Sequence, residues 1–294
     1  MSAIGYYVFY AINWVITLLP LRVLYIFSDF LFLILYYFPS YRRSTVAMNL
    51  KNAFPEKSIK ELKEIEKKFY KHLADIFIET LKMSHLSSKE MKRRFRFTNP
   101  EVIDKLKAEG RDIAAICGHY NNWEWMSSLP LFTDMKCVTI YKPLNNRLFD
   151  GFMNDLRMKK GFFLAPMSLI IREILTDRKK GVNALYAFIS DQTPAKGDIQ
   201  YWTNFLNQDT PVFLGVEKIA VKYDMAVVFF DNQKVKRGHY TATVSVLFEH
   251  PGEVPEHAVT EAHVRKLEEM IKKQPEYWVW SHKRWKYKRE QPNG

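Results

Sequence analysis

A histidine and a glutamate separated by four residues mark the most chemically pointed stretch of the 294-residue chain, Gly118-His119-Tyr120-Asn121-Asn122-Trp123-Glu124. The apolar run 112–117 (DIAAIC) precedes it and reads as a buried strand. The motif therefore falls at a strand–helix turn, where open α/β sheets place their ligands. Asn121 or Asn122 is expected to cap the helix that opens there, with Glu124 about one turn in. A carboxylate so placed meets one imidazole nitrogen, sets the tautomer and leaves the other nitrogen free as a base. Such a histidine takes the proton of a hydroxyl while that hydroxyl attacks an acyl carbonyl, the substrate oxygen standing in for an enzyme serine. Spacing alone is a weak signal: the chain holds eight histidines, and a lone His-x4-Glu reads more readily as a satisfied histidine at a strand end.

Other polar residues cluster after expected strands. Lys142, Arg147 and Arg157 follow the run 136–141 (KCVTIY), where cations suit phosphate groups or a solvated helix face. Asp191 ends the run 182–190 (VNALYAFIS), where a carboxylate orients substrate, pairs with Arg157 or makes a turn. Gln192 follows it. Acyl transfer also needs donors for the developing oxyanion, from backbone amides or a basic side chain. Cys117 and Cys137 have no histidine at ligand spacing, which excludes a zinc module and a disulfide framework. No glycine-rich phosphate loop occurs, so nucleotide hydrolysis is excluded.

The elements that must position these groups alternate. Expected strands at 112–117, 136–141, 182–190 and 225–231 are separated by helix-like segments near 122–130, 146–160, 168–179 and 211–223. That order predicts an α/β fold, a mainly parallel mixed sheet flanked by helices. The alternating segment 239–250 is expected as an edge strand, and 261–273 as an amphipathic helix. Ser58 with Glu61 three residues on is a capping box opening a long helix, whose buried stripe is Ile59, Leu62, Ile65, Phe69, Leu73, Ile76 and Leu81.

The first 41 residues differ from the rest, with Arg22 and Asp29 their only charges. Apolar runs at 4–19 and 23–38 flank Pro20, and Tyr and Trp recur as at a lipid–water boundary. The expectation is an N-terminal apolar helical membrane segment, 1–45, either one tilted span or two interfacial helices, followed by a catalytic domain, 46–294. Arg42 and Arg43 favour the cytoplasmic side. A secretory signal is not expected, since a basic start and a small-residue cleavage site are both missing. The net charge of +12 suits anionic membrane surfaces, acidic ligands or nucleic acid.

Several blocks together resemble the late acyltransferases of lipid A biosynthesis, within the wider glycerolipid acyltransferase superfamily. GHYNNWEW resembles the His-x4-Asp/Glu block, and Tyr141-Lys142-Pro143 the Tyr-Arg-Pro block, with Arg157 and Gly161 beyond it. Asp191-Gln192 resembles the Asp-Gln block, followed by Phe205, Thr210 and Pro211. The segment 275–286 (PEYWVWSHKRWK) resembles the closing Pro-Glu-x-Tyr-x-Trp-x-His-x-Arg block. The resemblance covers nearly the whole chain. It implies transfer of a fatty acyl chain from an acyl carrier protein or coenzyme A thioester to a hydroxyl of a lipid A precursor, at the cytoplasmic face of the cell inner membrane. It implies no cofactor, no metal and no nucleic acid. His119 is then the base and Glu124 its partner, with Asn122, Tyr141, Lys142, Arg157, Asp191 and Gln192 binding substrate. Lys142 departs from the usual arginine, replacing a bidentate fork by a point charge. The Pro-Glu-Gly-Thr-Arg block of phosphoglycerol acyltransferases is missing, and 191–197 (DQTPAKG) stands in its place. The alternatives are the same chemistry on a lysophospholipid or aminolipid acceptor, and a non-catalytic basic protein that tethers a membrane or binds nucleic acid.

Overall fold

The structure, a computed structural model, describes residues 3–38 and 41–289. The ends of the chain and residues 39–40, which belong to the expected 1–45 and 46–294 regions, lie outside the described residues. The chain opens with α1 (Ala3–Ile16), α2 (Leu21–Tyr37), α3 (Arg43–Ala53), α4 (Ile59–Lys82) and α5 (Ser88–Arg94). Then follow β1 (Phe95–Phe97), α6 (Glu101–Ala108), β2 (Ile113–Cys117), β3 (Lys136–Tyr141), α7 (Arg147–Met158), β4 (Phe163–Pro166), α8 (Ile170–Lys179) and β5 (Ala184–Ile189). The last elements are β6 (Tyr201–Phe205), β7 (Gln208–Val212), α9 (Gly215–Lys222), β8 (Ala226–Lys236), β9 (His239–Phe248) and α10 (Ala258–Lys273).

Seven strands form one sheet in the order β1-β9-β8-β2-β5-β3-β4, and β6 and β7 form a separate hairpin. Every neighbouring pair in the large sheet is parallel except β8 and β9. Central β2 is buried at all five positions, as expected of a parallel strand covered on both faces. Its residues alternate between two cores. Ala114 and Ile116 join Ile174, Ala220 and Ile271 of α8, α9 and α10, while Ile113, Ala115 and Cys117 join Ile103, Phe152 and Leu156 of α6 and α7. This layered α/β arrangement agrees with the alternation read from the sequence.

Some elements differ from expectation. The segment 239–250 is not an edge: β9 lies between β8 and β1, because the short run Phe95–Phe97 pairs along its free side. The segment 122–130 makes a turn and a 3-10 stretch, Trp125–Leu131, containing Pro130. Helix α4 has its capping box, but Asp75 and Glu79 share its buried face and Ile59 is exposed.

The N-terminal expectation is corrected. No helix among the described residues is long and apolar enough to cross a membrane. Pro20 divides the apolar stretch, and at 1.5 Å per residue α1 and α2 reach about 21 and 26 Å, short of the ~30 Å of hydrocarbon. Both helices dock on the rest of the fold. Leu21, Leu24, Ser28, Phe32 and Tyr36 form the buried stripe of α2, and Ser28 donates to Asp75 (2.7 Å) and Tyr25 to Glu79 (2.7 Å) on α4. Phe9 of α1 packs on Phe152 of α7, and buried Lys82 donates to the carbonyls of Thr17 and Leu19 just past the end of α1. These polar anchors escaped a reading based on apolar content.

Candidate active site

Strand register assembles the site. In the parallel β2–β5 pair Cys117 lies opposite Ile189, so His119 and Asp191 each stand two residues beyond matched strand ends. Their side chains meet: His119 Nδ1 is 2.6 Å from Asp191 Oδ1. Oδ2 accepts from the His119 backbone N–H (2.8 Å) and from Trp278 Nε1–H (2.8 Å). The Asp191 side chain is 1% exposed, that of His119 18%. Burial by itself would raise the Asp191 carboxyl. The attraction of His119 and the bonds from His119 and Trp278 outweigh it and hold the group at about 2. An ionised carboxylate only accepts hydrogen bonds. The imidazole therefore carries a proton on Nδ1, and its neutral form presents a lone pair at Nε2. The Gln192 side-chain nitrogen, 3.3 Å away, donates to that lone pair, and the edge of Trp123 flanks the ring at 5.2 Å.

The loop holding His119 is fixed by its neighbours. A Cβ on Gly118 would lie 2.7 Å from a Leu267 methyl and 3.2 Å from Asp191 Oδ2. A side chain there would push the Leu267 methyls aside and displace the carboxylate by a few tenths of an ångström. Asn121 adopts a left-handed conformation (φ 52°), which asparagine tolerates better than most residues. Its backbone N–H donates to Tyr277 O (2.9 Å) and its side chain to Asn232 O (2.7 Å). Asn122 is fully buried. Its amide donates to Glu79 Oε2 (2.6 Å), and its oxygen accepts from the Trp125 backbone N–H (3.0 Å).

This turn replaces the expected helix and carries Glu124 away from His119. Glu124 instead receives a two-pronged contact from Arg157 of α7, at 2.8 and 3.1 Å. The expected His119–Glu124 contact is thus corrected: Asp191 is the carboxylate on the imidazole, and Glu124 neutralises a largely buried arginine. Asp191 does not pair with Arg157 either. Burial alone would lower the Arg157 guanidinium, but Glu124, with Asp150 and Tyr141 nearby, raises it. Tyr141 closes β3 half-buried at the same carboxyl edge of the sheet, and Lys142 is exposed on the loop after it.

The closing block of the chain completes the site. Trp278 forms a β-bridge with Tyr120, and Thr193, just past Asp191, donates its backbone N–H to His282 Nε2 and its hydroxyl to Arg284 O. Trp278 and Arg284 are 1% and 2% exposed. The sequence shows them only as members of an aromatic, basic tail, and the resemblance of that block is the signal that they belong to the site. Among the described residues no group of three or more His, Cys, Asp or Glu is arranged to hold a metal ion.

A base with its orienting carboxylate at the carboxyl edge of a parallel sheet suits proton abstraction from a hydroxyl. Comparison with known proteins bears on the family alone. Residues 1–287 match the family model described as bacterial lipid A biosynthesis acyltransferase. The chain is similar to the lipid A biosynthesis acyltransferase of Haemophilus influenzae, 24% identical over 247 residues, covering 81% of this chain and 74% of that protein. The chain belongs to the bacterial lipid A biosynthesis acyltransferase family, and it is an acyltransferase.

Proposed function

We propose that the enzyme moves a fatty acyl chain from a thioester of acyl carrier protein or coenzyme A to a hydroxyl of a lipid A precursor, with His119 as general base. The observation that carries this reading is the His119–Asp191 pair, in which the buried carboxylate meets Nδ1 and leaves Nε2 on the side away from it. The acceptor hydroxyl takes the place of the Gln192 amide at Nε2 and gives up its proton there. Its oxygen attacks the thioester carbonyl. As the tetrahedral intermediate collapses, the C–S bond breaks and the departing thiolate takes the proton back from the imidazolium, leaving an ester and a free thiol. Asp191 stays ionised throughout and stabilises the transient imidazolium.

Asn122 acts through the loop, holding His119 in place by its bonds to Glu79 and Trp125. Tyr141, Lys142, Arg157 and Gln192 stand around the same sheet edge and are assigned to the acceptor and its phosphates, with Glu124 holding Arg157 in position. The reaction is placed at the cytoplasmic face of the inner membrane. A lipid acceptor and a net charge of +12, suited to anionic headgroups, support that placement.

Two experiments test the reading. His119→Ala, assayed with an acyl-carrier thioester and the lipid precursor, is expected to lose about 10³-fold in turnover, and full turnover would overturn the mechanism. Lipids of a deletion strain are expected to contain lipid A short of one acyl chain. Intact lipid A with another lipid missing would overturn the acceptor.

A further inference from the structure

A small cavity of about 10 Å³ lies against Asp191, bordered also by Cys117, Phe205, Phe229, His263 and Arg284. Its polar lining is unusual. Nε and Nη1 of Arg284 and Nε2 of His263 have no hydrogen-bond partner among the described residues, although Arg284 is 2% and His263 4% exposed. A guanidinium so deeply buried is costly unless an anion offsets it. The anion on this cavity is Asp191. Three donors already occupy its carboxylate, and a carboxylate offers about four lone-pair sites. The cavity has room for about one water, and Asp191, Arg284 and His263 give such a water the usual three or so partners.

We propose that Arg284 is a positioning residue for His119: through one ordered water it holds the Asp191 carboxylate in place and supplies the fixed positive charge on its buried side. The inference rests on the reading of His119 as base.

The other groups facing Asp191 do not supply that charge. His263 on α10 and His282 on the closing segment are both pushed down to about 4, chiefly by burial, and are neutral near pH 7. Cys117 at the end of β2 is pushed far up by burial and stays a thiol. Trp278 is an uncharged donor. Lys286 is exposed and acts on His282. Arg284 itself is lowered by burial only to about 10, with Asp191 opposing the shift, so it remains a cation.

The test compares Arg284→Met and Arg284→Lys with wild type in the acyl-transfer assay across pH. Loss of the cation leaves the imidazolium with one like charge fewer nearby, while Asp191 remains ionised. The acid limb of kcat/KM in Arg284→Met is then expected to move up by about half a pH unit or more. Turnover is expected to fall about tenfold or more with KM little changed. Arg284→Lys is expected to keep the limb near its wild-type position. A folded Arg284→Met enzyme with an unmoved limb overturns the proposal, since a purely structural role lowers yield and stability without moving it. Should Arg284→Met not fold, a high-resolution crystal structure of the unaltered protein decides. One water bonded to both Asp191 and Arg284 is expected, and its absence from a well-ordered cavity overturns the proposal. If His119→Ala keeps full activity the reading of the base fails. If His119→Ala is inactive and the limb stays put in Arg284→Met, only the role of Arg284 fails.

Discussion

In the proposed reaction His119 is competent in one tautomer only, and the carboxylate that meets its Nδ1 is that of Asp191. Asp191→Asn puts an amide where a pure acceptor stood, so the side chain can donate to Nδ1 and send the proton to Nε2. Turnover is expected to fall about 10³-fold while the protein still folds. The same substitution has a pH signature. The Asp191 carboxyl is held at about 2 against an ordinary 3.8, a depressed acid. It therefore contributes about 2 kcal/mol above pH 4, and this contribution is lost as pH falls towards 2. Thermal unfolding should show the variant less stable at pH 7 and the gap closing on acidification. Gly118→Ala should lower activity by moving the Asp191 carboxylate and the Leu267 methyls, measurable as reduced kcat in a protein of near-native circular dichroism. The place of His119 just past the end of a buried strand was legible in the sequence because that run is local. The partner of His119 lies 72 positions away, and the spacing of Glu124 pointed to the wrong carboxylate. The missing information is strand register: only once β2 and β5 are known to be parallel neighbours does the matching offset of the two residues become visible.

At the scale of elements, α4 does more than cover a core. Its Glu79 is fully buried and accepts from Tyr25 of α2, Tyr240 of β9 and Asn122 of the His119 loop. Glu79→Ala strands three donors, two of them fully buried, and is expected to cost about 3 kcal/mol in denaturant unfolding. Burial, then the nearby Asp75 carboxylate, pushes the Glu79 carboxyl up to about 7 from 4.5. For an acid raised on folding, the sign is opposite to that of Asp191. Its contribution is full below pH 4.5 and is lost as pH rises through 7. The stability gap between wild type and Glu79→Ala should therefore narrow between pH 5 and 8. The long helices and buried strands were legible because their apolar periods run for many residues. The β6–β7 hairpin was not. Its turn residues Leu206 and Asn207 take positive φ (52° and 60°) without the Asn-Gly or Asp-Gly pair that usually announces such a turn. The 3-10 stretch was read as a regular helix although Pro130 sits inside it.

Across the whole molecule, the N-terminal helices and the catalytic sheet are joined by charge as well as by packing. Arg237, in the turn between β8 and β9, bonds to both Asp29 of α2 and Asp75 of α4. Arg237→Met leaves Asp75 buried with fewer partners, and about 3 kcal/mol of stability should go with it. Amide exchange in α2 should then rise before that of β2 and β5. Exchange in α2 unchanged from wild type would show that packing alone holds the helix. Apolar content told little of this docking, because the residues that attach α2 are a serine, a tyrosine and an aspartate inside a hydrophobic run. The closing block reaches back in another way, through the Tyr120–Trp278 bridge and the contacts of Thr193 with His282 and Arg284. Translation therefore delivers His119 and Asp191 long before the tryptophan that braces them. A polypeptide still in synthesis can have its sheet outside the ribosome and yet no braced His119–Asp191 pair, and prematurely terminated products lacking residues 278–284 are expected to be inert rather than partly active.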